Sequence, residues 1–97
     1  MGTDENSSEY IYTNLYRQFE NQEYLEVISQ CDKYITNFDG EAIVPKFEFL
    51  KAVSKARIYG YESYSESINF IALNYPNSPE GKNAEDMMQT VIPLLAK

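Results

Sequence analysis

An all-α fold of stacked antiparallel helical hairpins, with about five helices, is predicted by three features of this chain. Its apolar residues recur near the 3.6-residue helical period throughout, and the alternation of a half-buried strand is absent. Gly40, Pro45, Gly60, Pro76 and Pro79 fall at the joints between the periodic stretches. The stretch from Tyr64 to Pro79, Y-S-E-S-I-N-F-I-A-L-N-Y-P-N-S-P, ends one helix and starts another, which is the join that repeating hairpins need.

Residues 1–7 are acidic and polar, carry no signal-peptide pattern, and are expected to be a disordered linker or an added start. Ser7 or Ser8 can cap a first helix whose apolar side is Ile11, Tyr12, Leu15, Tyr16 and Phe19. The joint Glu20-Asn21-Gln22-Glu23 holds no apolar residue and suits a tight turn between antiparallel helices. A second helix over about 23–37 turns Tyr24, Val27, Ile28, Cys31, Tyr34 and Ile35 inward, which completes a hairpin over 8–40. Asn37-Phe38-Asp39-Gly40 stops it, with glycine supplying the left-handed residue.

Pro45 opens a third helix over 46–59. Its apolar residues, among them Phe47, Phe49, Leu50, Ala52, Val53 and Ile58, go nearly round the helix, as expected in the middle of a stack. Gly60 breaks it, and a fourth helix over 61–74 closes a second hairpin, 45–76, with Ile68, Phe70, Ile71 and Leu73 on a broad stripe. Tyr75-Pro76 ends that helix, since proline lacks a donor and disfavours the α conformation in the residue before it. Ser78 caps a closing helix over 79–95, with Pro79 at its first position and Glu80 in its first turn. That helix uses Ala84, Met87, Met88, Val91, Ile92 and Leu95, and Pro93 should kink or fray its last turn.

With 97 residues the chain has room for one small domain around one core, assigned to 8–97. Its net charge of −7 argues against nucleic acid or an anionic membrane as partner. No run approaches the ~18 apolar residues of a membrane span, so a soluble segment is expected. The lone Cys31 can form no internal disulfide and reads as a small core hydrophobe, compatible with a reducing cytoplasm or an envelope compartment.

The string Tyr12 to Ile28, Y-T-N-L-Y-R-Q-F-E-N-Q-E-Y-L-E-V-I, resembles the tetratricopeptide repeat, with Tyr12, Leu15 and Phe19 at the aromatic–Leu–aromatic places of the first helix. Tyr24 and Val27 match the opening of its second helix approximately. The joint is one residue short, and Tyr16 stands where the family has a small residue, which implies a wider helix crossing. Gly60, Tyr64, Ile68 and the Y-P-N-S closure are similar to the envelope-associated bacterial branch of that family. The combined pattern over 9–95 looks like the C-terminal repeats of the large tetratricopeptide lipoproteins of gliding motility and type IX secretion in Bacteroidetes. The resemblance implies a superhelix of α–α hairpins with a scaffold role at the cell envelope, and it carries over no catalytic residues.

The chemistry-bearing residue types are sparse. The chain has no histidine, the commonest general base and metal ligand, and one cysteine cannot build a zinc site. Glu62 and Glu66, one turn apart, and Glu80, Glu85 and Asp86 read as solvated faces; a metal-assisted hydrolase would need them to converge in a cleft. Gly60 and Gly81 are isolated, so no phosphate-binding loop exists. No catalytic residue, cofactor or metal is therefore expected.

Basic residues carry the one candidate site. Lys51 and Lys55 share a face of the third helix, and Arg17 lies on its counterpart in the first hairpin. Where first helices line a concave side, alignment through Tyr12 and Leu15 adds Tyr10 and Thr13 to that groove. Tyr10, Thr13, Arg17, Lys51 and Lys55 are thus the expected partner-binding set, taking another protein or an acidic peptide segment. The plainer alternative is that these charges only solubilise the helices. The expected function is a non-enzymatic interaction module. The competing expectation is a structural solenoid segment or self-association, with the apolar last turn (Val91, Ile92, Leu94, Leu95) covering a neighbour.

Overall fold

The computed structural model describes residues 7–95, and most of the expected linker, residues 1–6, lies outside the described residues. Six helices and no strand make up the described chain, stacked as helical hairpins: α1 (Ser8–Glu20), α2 (Tyr24–Asn37), α3 (Val44–Tyr59), α4 (Tyr61–Asn74), α5 (Pro79–Gln89) and α6 (Val91–Leu95). Ser7 starts α1 by accepting a hydrogen bond from the Tyr10 N–H at 3.2 Å. The turn into α2 places Gln22 at φ 66° and closes with the Gln22 and Glu23 amides donating to the Phe19 and Gln18 carbonyls. Gly40 at φ 86° and Gly60 at φ 88° sit at the breaks flanking α3, where a side chain would strain the backbone. Ser78 caps α5 by accepting from the Gly81 N–H at 2.9 Å, with Pro79 in the first turn.

α3 is the central element, packed against α1, α2, α4 and α5. It divides the apolar interior in two. Leu15, Val27, Cys31, Ile43, Phe47 and Leu50 form one cluster between α1, α2 and the first half of α3. Ala52, Ile68, Ile71, Ala84 and Ile92 form the other, where α3, α4, α5 and α6 meet. A stack of hairpins buries one layer per pair of helices, so the single core expected becomes two that share a helix.

Four expectations need correction. The α4 stripe is narrower than predicted: Ile68 and Ile71 are buried, but Phe70 is exposed and Leu73 is 70% exposed. The burying line runs through Tyr61, Tyr64, Ile68, Ala72 and Tyr75, and Phe70 and Leu73 lie across the helix from it. Tyr16, read as inward, is 43% exposed, and Ile58, Val91 and Leu95 are exposed as well. The closing helix is two: α5 stops at Gln89 and Thr90 caps it with φ −116°. Pro93 has no N–H for the Gln89 carbonyl and its ring crowds that oxygen, so the disruption expected of the proline takes the form of a break at Thr90. Tyr61 Oη then holds α6 by donating to the Ile92 carbonyl at 3.3 Å. Lastly, two buried polar residues were not foreseen. Ser54 donates to the Leu50 carbonyl at 2.9 Å, and Glu48 accepts from the Tyr75 hydroxyl at 3.0 Å.

Candidate functional site

The first helices of the two hairpins and α5 lie side by side and leave an open groove of 340 Å³. Helical spacing selects its lining. Tyr12, Tyr16 and Phe19 come from α1, Lys46, Phe49, Leu50 and Val53 from α3, and Glu80 and Asn83 from α5. Each set repeats at three- and four-residue steps, which is one face of each helix. The α1 rings run along one wall, with centroids 6.2 Å apart from Tyr12 to Tyr16 and 5.8 Å from Tyr16 to Phe19. Below them, Tyr12 meets Phe47 edge to face at 5.8 Å, which anchors the wall to the buried cluster.

The groove is electrically uneven. Lys46 Nζ sits 5.3 Å from the Tyr12 ring centroid and 3.8 Å from Glu9 Oε2, so its charge is already engaged. Glu80 has no ion pair among the described residues. The Tyr12 hydroxyl holds its proton more tightly than an ordinary tyrosine, first through burial, then through Tyr16 and Cys31 and the negative charges of Glu80 and Glu9.

The expected partner-binding residues do not line this groove. Tyr10, Thr13 and Arg17 share a separate shallow depression along α1 with Ser7, Glu9 and Asn14. The Thr13 hydroxyl is spent on the Glu9 carbonyl at 3.0 Å. Lys51 and Lys55 do share a face, but it is a depression between α3 and α4 with Glu48, Glu66, Ser67 and Phe70. Lys51 Nζ is bound there to Asp32 Oδ1 of α2 at 2.6 Å. The structure therefore joins the two lysines, joins Arg17 to Tyr10 and Thr13, and keeps the two groups apart. Each residue turns a helix by about 100°, so moving from Leu50 to Lys51 carries a side chain out of the groove.

Cys31 is buried and free, and burial pushes its thiol up to about 12, with Asp32 adding to the effect, Lys51 opposing it and Glu48 adding again. Burial, then the charge and hydrogen bond of Glu48, then Asp39, likewise push the Tyr75 hydroxyl up to about 12. Both groups stay protonated at neutral pH, so Cys31 is inert toward thiol reagents in the folded chain. In the unfolded chain these groups fall back toward 9.0 and 10.0 and release their protons first. Their contribution to stability is therefore fully present below pH 9.0 and is lost as pH rises toward about 12. Urea midpoints across that window should fall steadily, and Cys31→Ala should flatten the fall while lowering the midpoint at every pH. A midpoint independent of alkaline pH would contradict this assignment.

No helix among the described residues is long and apolar enough to cross a membrane. A scan against protein-family models and searches of curated proteins and of solved structures found no match to this chain.

Proposed function

We propose that this chain is a non-enzymatic protein-interaction module of tetratricopeptide-like design, whose α1–α3–α5 groove receives a segment of a partner protein. The observation that carries the reading is the aromatic lining. Tyr12, Tyr16, Phe19 and Phe49 all line one groove: Tyr16 is exposed, and Tyr12, Phe19 and Phe49 are half-buried, packed against the two clusters while still contributing to the groove wall. Amphipathic rings at low conformational cost are what protein interfaces concentrate at their centres. The groove's one carboxylate, Glu80, and one ammonium, Lys46, form no acid–base pair suited to turnover, and the chain has no histidine. The Y-P-N-S closure and the repeat pattern support a place in a larger bacterial envelope protein of gliding motility or type IX secretion, as a scaffold.

A photo-crosslinking residue at Tyr16 should capture a defined partner from an envelope fraction, and the same residue at the exposed Glu62 of α4 should not. Equal capture at both positions would sink the groove reading. A second reading, an array segment or self-associating domain, is favoured by the exposed Val91, Leu94 and Leu95 at the end of the stack. It expects a mass by light scattering that rises with concentration, and a Leu94→Glu, Leu95→Glu double variant that stays monomeric.

A further inference from the structure

We propose that the occupant of the α1–α3–α5 groove is a basic segment of a partner protein, presenting an arginine to the aromatic wall and to Glu80. The proposal rests on the groove reading and adds the chemistry of what enters it. Faces of tyrosine and phenylalanine rings are negative and attract cations. The groove already shows this once, with Lys46 Nζ 5.3 Å from the Tyr12 ring centroid. That lysine is the only cation in the lining and is shared with Glu9 at 3.8 Å, which leaves Glu80 as the groove's unengaged charge.

An acidic segment would find no free cation there. Arg17 lies in another depression, Lys51 is bound to Asp32, and Lys55 lies with Lys51 between α3 and α4. A purely apolar segment would leave Glu80 and Asn83 without partners at the α5 side. The Tyr12 hydroxyl feels the negative charge of both Glu80 and Glu9. At longer range the net charge of −7 steers a basic partner toward the chain. Arginine fits better than lysine because its planar, weakly hydrated guanidinium stacks on rings while its edge pairs with a carboxylate.

The test uses short fluorescent peptides in which leucine alternates with arginine, glutamine or glutamate, read by anisotropy at physiological salt. The arginine peptide should bind at least about tenfold tighter than the glutamine one, and the glutamate peptide should not bind. Glu80→Lys should weaken the arginine peptide by about tenfold or more, and Tyr16→Ala should weaken it too. Glu62→Lys, the same charge change on exposed α4, should cost less than about twofold. Equal losses from Glu80→Lys and Glu62→Lys would mean the general field of an acidic protein, and would overturn the proposal. If the glutamine or glutamate peptide binds as well as the arginine peptide and is lost with Tyr16→Ala, the groove stands and the basic partner falls. If no peptide responds to Tyr16→Ala, both readings fall.

Discussion

Phe47→Ala is expected to destabilise the fold by about 3–5 kcal/mol, the largest single effect in the chain. Phe47 is fully buried where α1, α2 and α3 meet. Its ring stacks on Tyr34 at 6.0 Å and Phe38 at 6.1 Å, and takes the edge of Tyr12 at 5.8 Å. Truncation loses the transfer free energy of the ring and leaves a cavity whose walls are other rings, too stiff to collapse into it. Against a total stability of roughly 5–15 kcal/mol for a domain of this size, the loss is a large fraction. At about 4–8 °C per kcal/mol the melting temperature should drop by at least ~12 °C. Leu25→Ala serves as the control, since Leu25 is 67% exposed and should change stability by less than about 0.5 kcal/mol. A Phe47→Ala variant that melts with Leu25→Ala would contradict the position of the first core. Tyr12 lies on Phe47, so the same variant should also loosen the groove wall and weaken any groove ligand.

Why the helices were legible in the sequence and some faces were not can be seen at particular residues. Ser7, Gly40, Gly60, Tyr75-Pro76 and Ser78 act through local backbone chemistry; Gly40 lies in the turn between α2 and α3, and the others lie at helix boundaries. Burial depends on which neighbour a face meets, and here spacing says less. Phe70 and Leu73 are as apolar as Ile68 and Ile71, yet only the latter two point at α3 and α5. Glu48 is the converse case. Nothing in the local string V-P-K-F-E-F-L marks this carboxylate for burial, because its partner, the Tyr75 hydroxyl, arrives from 27 residues away.

The groove was half legible for the same reason. That first helices would line one side followed from the hairpin pattern, and α1, α3 and α5 do so. Which side chains they present depends on helix rotation about the axis, set by long-range packing of α3 between α2 and α4. Lys51 turns away from the groove, which Leu50 and Lys46 line. Lys51 and Lys55 are held on another face, and the groove keeps rings, Lys46 and Glu80.

Gly81→Ala should cost about 3 kcal/mol, near the upper end of ordinary overpacking, although the position needs no left-handed backbone. The reason is space. A Cβ at Gly81 would come within 2.5 Å of the Tyr75 carbonyl carbon and closer still to its oxygen, with Ser78 Oγ at 3.1 Å. Tyr75 cannot easily retreat. Its carbonyl accepts from the Ser78 N–H at 3.1 Å and the Ser78 hydroxyl at 2.8 Å, while its own hydroxyl donates to buried Glu48 at 3.0 Å. The stretch Y-P-N-S-P-E-G is thus one device: tyrosine pins the turn to α3, serine caps α5, and glycine lets the α5 helix start against the turn. Gly40 is the comparison, because it has φ 86° but nothing within 4 Å of an added Cβ. Gly40→Ala should cost only the left-handed penalty of about 1–2 kcal/mol. Melting temperatures should rank the two variants in that order, and equal losses would remove the close approach as the cause. In a Tyr75→Phe background the turn is freed from Glu48 and can move aside, so Gly81→Ala should cost less there than in the native chain. That coupling, measured as a double-mutant cycle, separates a clash against a pinned carbonyl from a mere dislike of alanine in the first turn of α5.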